Sequence, residues 1–163
     1  MTSTTTSTIQ RFRQRIDTPI GWLAVVADHQ AITTIEFDAQ PAPDDVSNAV
    51  TELGVQQLNE YFAGQRKHFD LPLSMPGTAF QREVWQALTD VPFGVTCSYS
   101  DVALQIARPK AVRAVGAANG KNPIPIVVPC HRIIGRSGTL TGYAGGLDKK
   151  RWLLEHEGLS IKA

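Results

Sequence analysis

At 163 residues, 42% of them hydrophobic, the chain has room for one domain or two small ones around a real core, which excludes a disordered protein. No stretch is apolar for long enough to cross a bilayer, and two cysteines, Cys97 and Cys130, are too few for a disulfide scaffold, so a reduced, cytoplasmic protein with no membrane partner is expected. The net charge of +1 hides an asymmetry: residues 1–80 carry 5 Lys/Arg against 9 Asp/Glu, and residues 81–163 carry 11 against 6, so the C-terminal part is the one suited to an anion such as a nucleic acid backbone.

Residues 1–10, a Ser/Thr run without an apolar core, read as a flexible tail and not as a signal peptide. Residues 11–38 read as strands, with Ile20, Trp22, Ala24 and Val26 alternating, a turn at Asp28-His29-Gln30, and a β-branched run from Ile32 to Phe37. Pro41 and Pro43 break the chain, and Asp44 and Asp45 are placed to start a helix that carries Val46, Val50, Leu53, Leu58, Tyr61 and Phe62 and ends at Gly64. Leu71 and Leu73 suggest a short strand before the Pro76-Gly77 turn. Residues 11–77 are thus expected to form a small α/β support domain with an antiparallel sheet.

Residues 78–163 are expected to form a second, mainly helical domain. Thr78 to Gln81 fits a capping box, followed by Phe80, Val84, Trp85 and Leu88 on one helical face. Ser98, with Asp101 three residues on, caps a second helix with Val102, Ala103 and Ile106 inward. After the Arg108-Pro109-Lys110 turn comes a helix of small residues, Ala111 to Ala118, interrupted only by Arg113 among long polar side chains. Two short helices about a tight turn are the layout of a helix-turn-helix.

The chemistry concentrates at Asn122-Pro-Ile-Pro-Ile-Val-Val-Pro-Cys130-His131-Arg132. An apolar run delivers a thiol beside a base and a cation, both able to favour the thiolate. Downstream, Gly138, Gly142, Gly145 and Gly146 surround Tyr143, and Asp148 starts a helix with Trp152, Leu153 and Leu154 that leads to Glu157, placed to return and orient His131. On residues alone, a cysteine hydrolase and a non-catalytic DNA-binding module remain open, as does a buried thiol beside a surface histidine.

From about Phe80 to Gly158, the motifs RAVGAANGKNP, IPIVVPCHRIIG and TGYAGGLDKKRWLLEHEG resemble the O6-alkylguanine-DNA alkyltransferases, and TPIGWL with YFAG resembles their N-terminal layout. The resemblance implies stoichiometric transfer of the alkyl group from O6-alkylguanine, and from O4-alkylthymine, in double-stranded DNA to Cys130. It implies that His131 is the base through a water, oriented by Glu157, that Asn122 braces the turn, and that Tyr99 protonates N3 of the leaving guanine. It implies a substrate pocket from Tyr143, Ala144, Ile133, Pro125 and Asn119, with the Cys130 and Ile133 carbonyls reading the exocyclic amine. Arg113 would replace the flipped nucleotide, and Ser100, Ala114, Gly116, Arg108 and Arg136 would contact DNA from the minor groove. A monomer without cofactor is expected. No metal is expected either, because the N-terminal part lacks cysteine, with which some members of the family bind zinc.

Overall fold

The computed structural model describes residues 10–161, so nearly all of the expected N-terminal tail lies outside the described residues. Three antiparallel strands, β1 (Phe12–Thr18), β2 (Gly21–Ala27) and β3 (Ile32–Phe37), pair in the order β1-β2-β3. The register runs Phe12 to Ala27 and Leu23 to Phe37, with an irregularity at Val26/Ala27. Ile20 lies in the β1–β2 turn, which closes with the Thr18 hydroxyl donating to Gly21 O at 2.6 Å. The core face of β2 is Leu23, Val25 and Ala27, not the set that begins at Trp22. Trp22 is 44% exposed under the Arg15 guanidinium, while the small Ala24 and Val26 are covered on the outer face, where Arg13 and Glu36 meet. A strand buried on both faces gives no clean period of two.

Helix α1 (Ala49–Phe62) packs across the sheet. Its cap is Asn48, in a reciprocal box with Thr51, and not the earlier aspartates. Asp45 is committed elsewhere, taking two hydrogen bonds from Arg13 at 2.8 and 2.9 Å. The inward face is Thr51, Gly54, Gln57, Leu58 and Tyr61, whereas Val46 and Leu53 are exposed. Gly54 is required by closeness: a Cβ there would stand 2.9 Å from Ile32 and 3.0 Å from Val25. The expected strand at Leu71–Leu73 is reduced to a single parallel bridge between Leu73 and Ile32.

Helices α2 (Ala79–Thr89) and α3 (Tyr99–Gln105) start at Thr78 and Ser98, each with a complete capping box, to Gln81 and Asp101. Ala107, at φ 61°, turns the chain out of α3 towards α4 (Val112–Gly120). The Trp85 indole on α2 donates to Ala118 O at 2.9 Å and ties α2 to α4. Helix α5 (Leu147–His156) is capped by Gly146, one residue earlier than an Asp148 start, and buries Lys150, Leu153 and Leu154. One apolar core runs through both units, from Leu23 and Tyr61 to Val115, Ile133 and Leu153.

Candidate active site

Cys130 opens a single 3-10 turn, Cys130–Arg132, and is buried. The segment before it is held by Asn122, whose amide donates to Val128 O at 2.8 Å while its carbonyl oxygen accepts from Ile124 N at 3.0 Å. Cys130 N then donates to Val128 O at 2.8 Å. Within this turn Ile126 adopts φ 74°, a conformation a β-branched residue takes only at a cost of about 1–3 kcal/mol. The Asn122 bonds and the burial of Ile124, Ile126 and Val128 over-determine it.

His131 is fully buried, and its Nε2 lies 2.8 Å from Glu157 Oε2. Glu157 caps the C-terminal end of α5, where the helix dipole disfavours a carboxylate. Its oxygens are nonetheless supplied by the Tyr61 hydroxyl at 2.6 Å, Arg132 Nε at 2.8 Å, Arg132 Nη2 at 3.0 Å and the Gly94 amide at 3.2 Å. Burial pushes the carboxyl up, but the His131 and Arg132 hydrogen bonds outweigh it and hold it well below the usual range. An ionised carboxylate only accepts, so His131 carries its proton on Nε2 and keeps the Nδ1 lone pair. Nδ1 has no hydrogen-bond partner among the described residues. Burial lowers the His131 pKa, leaving the ring neutral, against the pull of Glu157.

Burial raises the Cys130 thiol to about 11, opposed by the Asn122 hydrogen bond and the nearby Lys150 charge. This corrects the expected part of Arg132: its guanidinium is spent on Glu157 and on Val91 O at 2.7 Å, and Lys150 is the cation that acts on the thiol. Cys97, half-buried beside Ile133 and near Asp101, is likewise raised to about 11 by burial.

Tyr99 stands first on α3, its ring against the backbone of Gly116 and its hydroxyl 2.7 Å from Thr141 Oγ1. Tyr143 is half-buried, its hydroxyl enclosed without a partner among the described residues, and its ring meets Phe37 edge-on at 5.5 Å. Pro125, Asn119 and Ile133 are buried around the same turn, whereas Ala144 is exposed on the glycine loop. The Cys130 carbonyl already accepts from Ile133 N at 3.3 Å. Arg113, Ala114 and Ala117 are exposed along α4, Arg136 is exposed in its loop, Ser100 and Gly116 are partly covered, and Arg108 pairs with Glu83 at 3.2 Å.

Tyr61, Lys150 and Thr141 were not expected at the site. For Lys150 a signal existed: Lys150, Leu153, Leu154 and Glu157 stand at i, i+3, i+4 and i+7, the buried stripe of a helix. Tyr61 reaches Glu157 across 96 residues, a pairing with no local trace.

The ribonuclease-like domain of 6-O-methylguanine DNA methyltransferase matches residues 12–75, and the DNA binding domain of the same family matches residues 79–159. The chain is 48% identical over 152 residues to the methylated-DNA–protein-cysteine methyltransferase of Mycobacterium bovis, covering 87% of this chain and 89% of that one. It is 43% identical over 166 residues to the Shigella flexneri protein of the same name, covering 92% and 97%. Among solved structures, Mycobacterium tuberculosis O6-methylguanine methyltransferase superposes with a TM-score of 0.81 at 45% identity, over 91% of this chain and 93% of that one. Mycobacterium tuberculosis OGT in complex with DNA gives 0.81 at 48%, over 90% and 92%. With both domains matched, and with a buried cysteine next to a histidine that is paired with a buried glutamate, the chain belongs to the 6-O-methylguanine DNA methyltransferase family.

Proposed function

We propose that the protein repairs double-stranded DNA by moving the alkyl group of O6-alkylguanine, and of O4-alkylthymine, onto Cys130, once per molecule. The observation that carries this is His131: a buried neutral imidazole whose Nε2 is tied to an ionised Glu157, leaving an Nδ1 without a partner among the described residues to take the Cys130 proton through a bridging water. The thiolate attacks the alkyl carbon as the bond to O6 breaks, and the imidazolium is balanced by Glu157. Tyr99 gives a proton to the departing base, and Tyr143, Pro125, Asn119, Ala144 and Ile133 enclose it. The target atom lies inside the duplex, so the nucleotide is flipped at a cost of a few kcal/mol. Arg113, long and exposed on a helix otherwise narrow enough for the minor groove, fills the gap, with Arg108, Arg136, Ser100, Ala114 and Gly116 on the strands beside it. The protein acts as a cytoplasmic monomer.

A thioether offers water no leaving group, so the reaction ends with the protein alkylated. Incubation with excess duplex carrying O6-methylguanine is expected to release one equivalent of repaired base and stop, with the added methyl mapped to the peptide containing Cys130 and none on Cys97. Sustained turnover, or methyl on Cys97, contradicts the proposal. Retained binding to the lesion without transfer supports the non-catalytic alternative instead.

A further inference from the structure

Beyond its field on the Cys130 thiol, Lys150 has no part in the reaction as described, yet its side chain is fully buried. Its ammonium donates to Thr141 O at 3.1 Å and to Thr141 Oγ1 at 3.3 Å, and no carboxylate pairs with it among the described residues. A buried cation without a counter-ion is costly, so its retention calls for a physical reason. Thr141 Oγ1 stands 2.7 Å from the Tyr99 hydroxyl. A hydroxyl both donates and accepts, so Lys150, Thr141 and Tyr99 form one continuous hydrogen-bonded line from α5 to the start of α3. The titratable groups facing Lys150 are Cys130 and His131 from the 3-10 turn and, through Thr141, Tyr99. Burial lowers the Lys150 pKa to about 8, and a thiolate at Cys130 draws it back up.

We propose that Lys150 and Thr141 are the proton line that resupplies Tyr99 during alkyl transfer. The proposal rests on the reading of Tyr99 as the donor to the leaving base. As the Cys130 sulfur bonds to the alkyl carbon, the carbon–O6 electron pair leaves with the base. The Tyr99 hydroxyl passes its proton to that base. The Thr141 hydroxyl passes its own proton to the Tyr99 oxygen and takes one from the Lys150 ammonium, which ends as a neutral amine. Thiolate and ammonium face each other before the step, and thioether and amine, both neutral, remain after it. Loss of the thiolate removes the charge that held the Lys150 proton, so alkylation itself releases it. Neither residue touches the lesion; both act through Tyr99.

The test is single-turnover repair of a methylated duplex from about pH 6 to about pH 9, with duplex binding and thermal unfolding measured alongside. Thr141→Val keeps the volume and removes the hydroxyl; it is expected to slow repair by about 100-fold, the lower end of what a placed proton donor supplies, with duplex binding unchanged and the protein still cooperatively folded. Thr141→Ser is expected to restore the rate. Lys150→Arg keeps the charge but does not release a proton at these pH values, so it is expected to be slow and to lose the fall in rate that the native protein shows as pH rises through about 8. In a Tyr99→Phe background, Thr141→Val is expected to add nothing. A normal rate for Thr141→Val with a slow Tyr99→Phe overturns the proton line and leaves Tyr99 as donor. A normal rate for Tyr99→Phe overturns both. A fully active Lys150→Arg with the native pH profile reduces Lys150 to a fixed charge and also overturns the proposal. Should Lys150→Arg fail to fold, the Val and Ser variants of Thr141 decide.

Discussion

A carboxylate that already receives hydrogen bonds from Tyr61, His131, Arg132 and the Gly94 amide is poorly placed to accept a proton from anything, and its depressed pKa makes that harder. In the proposed reaction Glu157 is therefore a fixed acceptor that holds His131 in one tautomer. Glu157→Gln is the sharpest variant, because an amide can present either an acceptor or a donor to Nε2. It is expected to lower the repair rate at neutral pH by at least about 100-fold, as loss of a placed base does, while the lesion still binds. Tyr61→Phe removes one donor of several and leaves the carboxylate charged. It is expected to cost about 2 kcal/mol in urea unfolding, the scale of a buried hydrogen bond to a charged group, and to slow repair less than tenfold. Equal losses of rate in the two variants would show that enclosing the site, and not the histidine tautomer, is what Glu157 provides.

Helix α4 joins two requirements. Val115 and Ala118 pack inward, and the Gly116 backbone supports the Tyr99 ring. The remaining face, Arg113, Ala114, Ala117 and Gly120, is exposed and, but for Arg113, nearly flat. Arg113→Ala is expected to slow repair of duplex lesions by about tenfold or more while leaving reaction with the free alkylated base unchanged, because the free base needs no gap filled. Equal slowing of both substrates would remove Arg113 from nucleotide flipping. The capping boxes that start α2 and α3 were legible because Thr78 with Gln81 and Ser98 with Asp101 interact within one turn. The start of α1 was not: Asp44 and Asp45 are equally good caps in isolation, and only the distant Arg13 claims Asp45 and leaves Asn48 to cap. The same contrast divides the site. Cys130, His131 and Asn122 belong to one short segment and were readable there, whereas Tyr61, Thr141 and the true partner of Arg132 depend on packing between elements far apart in the chain.

For the molecule as a whole, the N-terminal unit braces the site and contributes Tyr61 to it. Ile35 N donates to Pro123 O at 3.0 Å beside the Asn122 turn, and Tyr61 meets Glu157. Phe37 meets the Tyr143 ring edge-on and also lies against the glycine loop, where a Cβ on Gly145 would stand 3.1 Å from the Phe37 ring. Unfolding exposes His131 and Glu157, both buried in the folded chain, so the pH dependence of stability reads their protonation in the folded state. His131 has a folded pKa below its unfolded value of about 6.5. Below that pH the unfolded chain binds a proton that the folded one refuses, so stability falls as pH falls, by up to about 1.4 kcal/mol per pH unit. Glu157, also depressed, adds its loss only below about pH 4.3, where the unfolded carboxyl begins to protonate. Urea unfolding at about pH 7.5, 6 and 5 is expected to show a steady decline in the native protein and a shallower one in His131→Gln, which has nothing to titrate at that position. The other histidines are common to both proteins and drop out of the comparison. Parallel declines would mean that His131 takes up a proton as readily folded as unfolded, and a native protein that gains stability over the variant as pH falls would mean that the ring is already charged when folded; a charged imidazole has no lone pair with which to receive the proton of Cys130.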